Sequence, residues 1–457
     1  MTLALRILLS SIAVFTTVAV HAENWPQFRG LRSDGVVTTS KIPMVWDGET
    51  NVRWKIPNPG EGWSAPIVWG NRLFMTAAVM QQPPRGSSKQ ASRPEPYRGG
   101  GGSRRSDLTN ATYRWDVLCL DTKTGDALWR RAAHVGNPRT PRHSSNTYAT
   151  ETPVTDGERI CAYFGMTGLS CYDFDGNLMW QRDLGSYETR AGWGTSSSPV
   201  LHNGRVFLQV DNEQQSFLTA LDVETGRTQW RIPRDELTQY SSPIIWKNSS
   251  RTELVVGGMV YRSYDPETGE LLWQLDMQKG RSAASPVADG DHLYVGTEFR
   301  NRGGADDGGG FLFAVKSGAS GDITPPSEAT TSAGLAWRCA DSGIQMASPV
   351  VCGGYIYLFE RRSSVVNCVD AATGKLVFRE RVPRARAFWA SPWTCDGLVF
   401  ALDETGTTYI IEPGPELNIV RRNEIDELFW STPAVSGDAL FMRGADHLYC
   451  IAPSNTE

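Results

Sequence analysis

The sequence predicts an all-β, eight-bladed β-propeller, a ring of four-stranded antiparallel blades closed by the N-terminal strand. Three observations predict it: a Ser/Thr/Ala-rich step into proline that recurs eight times, an Asp–Gly–Trp train inside the repeats, and a last repeat that stops short of its outer strand.

The steps are Ser64-Ala65-Pro66, Thr152-Pro153, Ser198-Pro199, Ser242-Pro243, Ser285-Pro286, Ser348-Pro349, Ser391-Pro392 and Thr432-Pro433. Their prolines lie 87, 46, 44, 43, 63, 43 and 41 residues apart. Five of these intervals match the roughly 40–50-residue period of a four-stranded blade. After each proline comes a β-rich run, a Gly-containing turn and a second strand, as in Pro199 to Leu208. A third strand then ends in an aspartate, and a Trp stands four residues beyond the following glycine. Asp121/Gly125/Trp129, Asp222/Gly226/Trp230 and Asp265/Gly269/Trp273 share this spacing, Asp173/Gly176/Trp180 has a turn one residue shorter, and Asp370/Gly374/Phe378 replaces the Trp. Glycine supplies the positive-φ turn position, and the large indole is expected to dock between neighbouring blades. This accounts for a chain in which Trp, at 16, matches Phe and exceeds Tyr at 14.

Both long intervals have visible causes. An insert at about residues 80–113 carries Pro83, Pro84, Pro94, Pro96, Gly99 to Gly102 and six basic residues from Arg85 to Arg105; such a composition predicts a flexible basic loop. The fifth repeat is lengthened at Arg300 to Gly310 and Gly318 to Gly334. Its Asp306-Asp307 reads as part of a flexible acidic loop rather than a spaced calcium-ligand pattern. At the ends, the last repeat runs from Thr432-Pro433 only to Ile451, and an orphan strand, Val52-Arg53-Trp54-Lys55, precedes the first step. The orphan strand is expected to complete the last blade, which removes the open sheet edges.

Residues 1–22 read as a signal peptide: Arg6 is basic, Ile7 to Val20 is apolar, and Val20-His21-Ala22 fits cleavage before Glu23. The propeller then occupies 23–457, and the expected location is the periplasm or the exterior. No later stretch is long and apolar enough for a membrane helix. A net charge of −5 argues against a nucleic-acid partner, which calls for a basic face. A monomer is expected.

The Ala220-x-Asp222-x-x-Thr225-Gly226-x-x-x-Trp230 segment and the opening Trp25-Pro26-Gln27-Phe28-Arg29-Gly30 resemble the quinoprotein alcohol dehydrogenase-like superfamily, the pyrroloquinoline quinone (PQQ) repeat propellers. The resemblance covers nearly all of the mature chain. It implies either a PQQ- and calcium-dependent dehydrogenase or a non-catalytic scaffold such as the outer-membrane protein assembly lipoprotein. The adjacent cysteine pair of those dehydrogenases is missing here, as is the lipid-anchor cysteine of the assembly lipoprotein.

Eight cysteines in an exported chain invite a disulfide reading. Cys119, Cys171 and Cys368, however, sit two residues before the repeat aspartate, where other copies have Ala220 or Ser263, and Cys450 falls at the matching place. A small side chain fits that place beneath the docked indole, and free Cys packs as a small hydrophobe. Cys352 and Cys395 share a position three residues after their prolines. The best disulfide candidate is Cys161 with Cys171, which flank one turn at Gly165 to Gly168. The Cys and His spacing suggests no zinc site.

Because the proline steps begin the innermost strands, the residues before them should ring one mouth of the central channel. Most copies have Ser or Ala two residues before the proline; the second has Glu151, preceded by His143, Asn146 and Tyr148. Trp63, Tyr240, Trp389 and Trp430 occupy the next place out, with Arg281 and Gln345 nearby in two other copies. This set is the candidate cofactor-binding mouth: a planar acidic ligand such as PQQ would lie on it, with calcium on Glu151. The competing reading makes Glu151 a hydrogen-bonded channel residue and the aromatics a cap on the core. No nucleophile triad, phosphate loop or metalloprotease helix is present. The favoured function is a protein- or ligand-binding propeller without its own catalysis; the alternative is a PQQ- and calcium-dependent dehydrogenase of an alcohol or sugar.

Overall fold

The computed structural model describes residues 23–38, 41–84, 105–277, 283–297, 310–326, 329–361 and 363–453. The signal segment, the centre of the basic insert, Arg281 and Asp306-Asp307 lie outside these. Eight antiparallel blades follow one another along the chain: blade 1 at 67–136, blade 2 at 154–182, blade 3 at 200–233, blade 4 at 244–276, blade 5 at 287–339, blade 6 at 350–381, blade 7 at 393–424 and blade 8 at 434–451. Val52–Pro57 is the outer strand of blade 8, with Trp54 opposite Cys450. The N-terminal strand therefore closes the ring, as the truncated last repeat predicts.

In each blade the short first strand is innermost, and first strands meet between blades 8 and 1, 2 and 3, 3 and 4, 5 and 6, and 6 and 7. The second and third strands are sandwiched between adjacent blades and are buried on both faces, as in Arg205–Val210 and Phe217–Asp222. The outer strands face solvent with alternate residues, as in Thr228–Pro233.

The docking train has a uniform geometry. The small residue before each bulge lies directly opposite the aromatic of the outer strand: Cys119 opposite Trp129, Cys171 opposite Trp180, Ala220 opposite Trp230, Ser263 opposite Trp273, Ala314 opposite Trp337 and Cys368 opposite Phe378. The indole N–H groups then reach across to the next blade. Trp54 donates to the Thr122 carbonyl at 2.9 Å, Trp129 to Phe174 at 2.8 Å, Trp180 to Val223 at 2.8 Å and Trp337 to Ala371 at 3.0 Å. Glycine is required in the receiving turn. Gly226 has φ +66°, and a Cβ there would stand 2.6 Å from the Trp180 ring.

Trp273 departs from this pattern. Its N–H donates within its own blade to Glu253 at 2.7 Å. Part of the fifth-repeat insertion explains the change, because Gly321–Asp322 pairs in parallel with Trp273 and Gln274 and adds a strand to the edge of blade 4. The basic insert is also narrower than its composition suggests. Strands of blade 1 run through Arg72–Gln82 and Thr112–Asp121, and Arg105–Ser106 pairs with Arg142–His143. Cys161 and Cys171 face each other across blade 2 and form a disulfide; the other six cysteines are not disulfide-bonded, and only Cys352 among them is not buried.

The recurrent Ser or Thr before proline has its own structural cause. Each donates its backbone N–H to the hydroxyl of the equivalent residue one blade on: Thr152 to Ser198, Ser198 to Ser242, Ser242 to Ser285, Ser285 to Ser348, Ser348 to Ser391 and Ser391 to Thr432, all at 2.9–3.0 Å. Ala65 donates to Thr152 at 2.9 Å but offers no hydroxyl in return. At that seam, between blades 8 and 1, Ser431 donates to the Ser64 carbonyl, and Arg443 donates to the Ser64 Oγ at 2.7 Å and the Thr76 carbonyl at 2.9 Å. Burial lowers the Arg443 guanidinium to about 9. This belt stitches the innermost strands into one ring.

The opening motif has a role as well. Trp25 exchanges backbone hydrogen bonds with Val68, and the Pro26 carbonyl accepts from Thr155. Arg29 reaches the Pro349 carbonyl, and Val36–Val37 pairs in parallel with Thr394 and Cys395. The segment thus crosses from the innermost strands of blades 1 and 2 to those of blades 6 and 7. Its pairings fall on Val68, Thr155 and Thr394, each two residues beyond a step proline.

Candidate functional site

At the proline-step mouth the candidate residues separate into two arcs. One is aromatic. Trp389 stacks on Trp430 at 4.4 Å between ring centroids and 26°, Trp430 packs on Trp63 at 5.2 Å, and the Arg361 guanidinium covers Trp389 at 5.1 Å. Glu404 accepts from both the Trp389 and Trp430 indoles, at 3.0 and 3.3 Å, and Trp63 donates to the Ser145 carbonyl at 2.9 Å. Gln345 belongs to this side, since its Oε1 accepts from the Arg361 backbone at 3.0 Å. Four planar groups from blades 6, 7, 8 and 1 thus fill the arc against one another, and Trp63 and Trp430 are buried.

The other arc, along blades 2 to 4, is polar. Glu151 is buried, and its Oε1 accepts a hydrogen bond from the Thr195 hydroxyl. Burial pushes its carboxyl up to about 7, partly offset by that bond and by backbone N–H groups. Asn146 donates to the Trp193 and Thr195 carbonyls at 2.9 and 3.3 Å, and so fixes the loop that presents Thr195. His143 Nδ1 lies 2.6 Å from the Ser145 Oγ, and its ring stands edge-on to Trp193 at 5.9 Å. The Ser196 hydroxyl donates to the Tyr240 carbonyl at 3.2 Å. Burial raises the Tyr240 phenol.

A cleft opens between blades 2 and 3, lined by Tyr163, Tyr187, Thr195, Ser197, Gln209 and Gln239 among others. Several buried polar atoms on this arc end without a hydrogen-bond partner: Ser197 Oγ, Gln209 Oε1, Gln239 Oε1, Tyr240 OH and Ser241 Oγ. Buried polar atoms are nearly always paired, so a cluster of exceptions marks a place where something else supplies the partner. Sequence reasoning reached Glu151 and Tyr240 but missed Thr195, Gln209 and Gln239. Thr195 lies four residues before its proline, as Gln345 does before its own, so the mouth pattern extends one place further than the motif suggests. Gln209 is next to last in the second strand of blade 3, where the equivalent residue of blade 2 is Tyr163; only the register brings those residues to the mouth.

These residues do not fit a calcium–quinone site. Among the described residues no group of three His, Cys, Asp or Glu side chains is placed to hold a metal ion. The tryptophans pack on one another instead of leaving a slot for a planar ring.

A family model described as outer membrane protein assembly factor BamB matches residues 114–261 and 256–316, the region of blades 1 to 5. A curated BamB from Moranella endobia (strain PCIT) is 24% identical over 191 residues, 39% of this chain and 42% of that protein's length. The crystal structure of BamB from Moraxella catarrhalis superposes with a TM-score of 0.56 at 11% identity, covering 87% of this chain and 98% of that one. Quinohemoprotein alcohol dehydrogenase from Comamonas testosteroni gives 0.55 at 10% identity, covering 94% and 81%. This chain is a PQQ-like repeat β-propeller. The solved structures establish the fold of the PQQ-like propeller, and its polar arc falls inside the segment matched by the assembly-factor model. Among the described residues no helix is long and apolar enough to cross a membrane.

Proposed function

We propose that this PQQ-like propeller is an exported, non-catalytic scaffold whose mouth engages a protein through the polar arc of blades 2 to 4. One observation carries the reading: five buried polar atoms along that arc, on Ser197, Gln209, Gln239, Tyr240 and Ser241, stand without a hydrogen-bond partner. A bound chain would supply their missing hydrogen bonds, and leaving them unmade costs about 1–3 kcal/mol each. The match to an assembly-factor family over the same blades supports a binding role.

The test places a photo-crosslinking residue at Tyr187, on the cleft, and at Leu128, on the outer strand of blade 1, in the source organism. Adducts of defined size from position 187 and none from 128 are expected. In parallel, the purified chain is titrated with PQQ with and without calcium. Calcium-dependent, stoichiometric binding with a raised melting temperature, followed by dye-linked alcohol oxidation, would overturn the scaffold in favour of the dehydrogenase.

A further inference from the structure

The blade 2–3 cleft has a chemical bias that narrows what enters it. Gln209 uses its Nε2 fully, donating to Asp211 Oδ2 and to the Gly257 carbonyl, both at 2.7 Å. That network fixes the orientation of the amide, so the unpartnered end is the acceptor Oε1. Gln239 likewise directs its Nε2 to Glu236 at 3.5 Å and leaves Oε1 unpartnered. Both residues line the cleft, and both are almost wholly buried.

Behind Thr195 stands Glu151, a third acceptor. The titratable group facing it is Tyr163. Beyond Tyr163 lie Tyr187 and Asp183, and the nearby Asp211 is already paired with Arg234 at 2.8 Å. Gly165 lets Thr195 stand against the carboxylate, since a side chain there would collide with the Thr195 hydroxyl. Both amides thus turn acceptors toward the cleft, and Arg234 behind it is paired with the lining Asp211. The cavity volume of the cleft is about 30 Å³, room for about two waters or for the tip of one side chain.

We propose that this cleft receives the cationic tip of a lysine or arginine side chain from the bound protein, its N–H groups pairing with Gln209, Gln239 and, through displacement of the Thr195 hydroxyl, Glu151. The inference rests on the scaffold reading for the source of that side chain. An ammonium or guanidinium carries several N–H donors and no acceptor, which is the complement of this lining. The bond to Glu151 is charge-assisted and belongs to the stronger class of hydrogen bond.

The probes are short blocked peptides containing one arginine or one lysine, with citrulline or acetyl-lysine in the matched controls. They are titrated into the whole chain and followed by amide chemical shifts. The cationic peptides are expected to shift the resonances of Thr195 and its neighbours, and the neutral ones are not. Binding should tighten as the pH rises from 5.5 to 8, as Glu151 becomes ionised. Glu151→Gln should weaken it about tenfold or more and flatten that pH profile. Thr195→Val should keep the preference for cationic peptides, and a single cooperative thermal transition certifies each fold. Equal binding of neutral and cationic peptides, undiminished binding to Glu151→Gln, or no shift at millimolar peptide would overturn the inference. Crosslinking at Tyr187 that survives Glu151→Gln would leave the scaffold reading standing while this one falls; loss of all crosslinking in the parent chain would remove the scaffold reading itself.

Discussion

The two arcs of the mouth are built on the same repeat, yet they reach opposite ends. Along blades 7, 8 and 1 the third residue before each proline is Trp389, Trp430 or Trp63. The rings satisfy one another by stacking, and their N–H groups are taken by Glu404 and Ser145. Along blades 2, 3 and 4 the same place holds Thr150, Ser196 or Tyr240, side chains too small or too widely spaced to close the arc. Polar atoms are left there without partners. The aromatic arc thus contributes stability to the ring, whereas on the proposed reading a bound protein completes the polar arc.

The sharpest way to break this comparison is Trp430→Ala. Trp430 lies between two other indoles, so its removal should cost about 3–5 kcal/mol, seen as a large fall in thermal or urea-unfolding midpoint. Crosslinking at Tyr187 should persist in the folded fraction. A small cost would mean that the aromatic arc is not a structural element.

Glu151→Gln tests the other side. In the folded chain the carboxyl sits at about 7, against an ordinary value of 4.5, so folding favours its protonated form. That contribution is fully present below pH 4.5 and is lost as the pH rises to 7. The amide carries no such penalty. Glu151→Gln should therefore match the parent near pH 4 and exceed its stability above pH 7 by up to about 3 kcal/mol. Melting curves across this range check it, and a variant less stable at pH 8 would show that the buried carboxylate has an unseen cationic partner.

The hydroxyl belt runs beneath both arcs and should not distinguish them. Ser242→Ala and Ser391→Ala each leave one buried N–H without its acceptor, and each should cost about 1–2 kcal/mol. Unequal costs would place the difference between the arcs in the ring itself. Smallest of all, Ala65→Ser offers the hydroxyl missing from the closing seam. It should raise the unfolding free energy by no more than about 1 kcal/mol, and an unchanged value would show that the added hydroxyl accepts no backbone N–H at this seam.

Much of the fold was legible because it repeats. The Asp–Gly–Trp train is a local pattern with a fixed spacing, and the truncated last repeat pointed to Val52–Pro57 as the closing strand. Cys119, Cys171, Cys368 and Cys450 could be placed because a small residue must face each indole. The site was legible only in part. The motif marked Glu151, Tyr240 and the three tryptophans as mouth residues, but it gave no sign that the tryptophans close on one another. Gln209 and Thr195 were missed because their places depend on where a second strand ends and how a loop turns. The change at Trp273 was equally hidden, since Gly321–Asp322 pairs with a strand almost fifty residues earlier.

The sequence by itself determined the number of blades, their order, the docking residues and the closure of the ring, because each of these rests on short-range patterns repeated often enough to be counted. Tertiary structure decided which mouth residues meet, that the serines before proline form a belt, that the opening segment crosses the ring, and that Glu151 lies buried beside a cleft toward which Gln209 and Gln239 turn acceptors. Those outcomes depend on contacts between blades, where residues far apart in the chain compete for the same space and the same hydrogen bonds, and no local pattern records who wins.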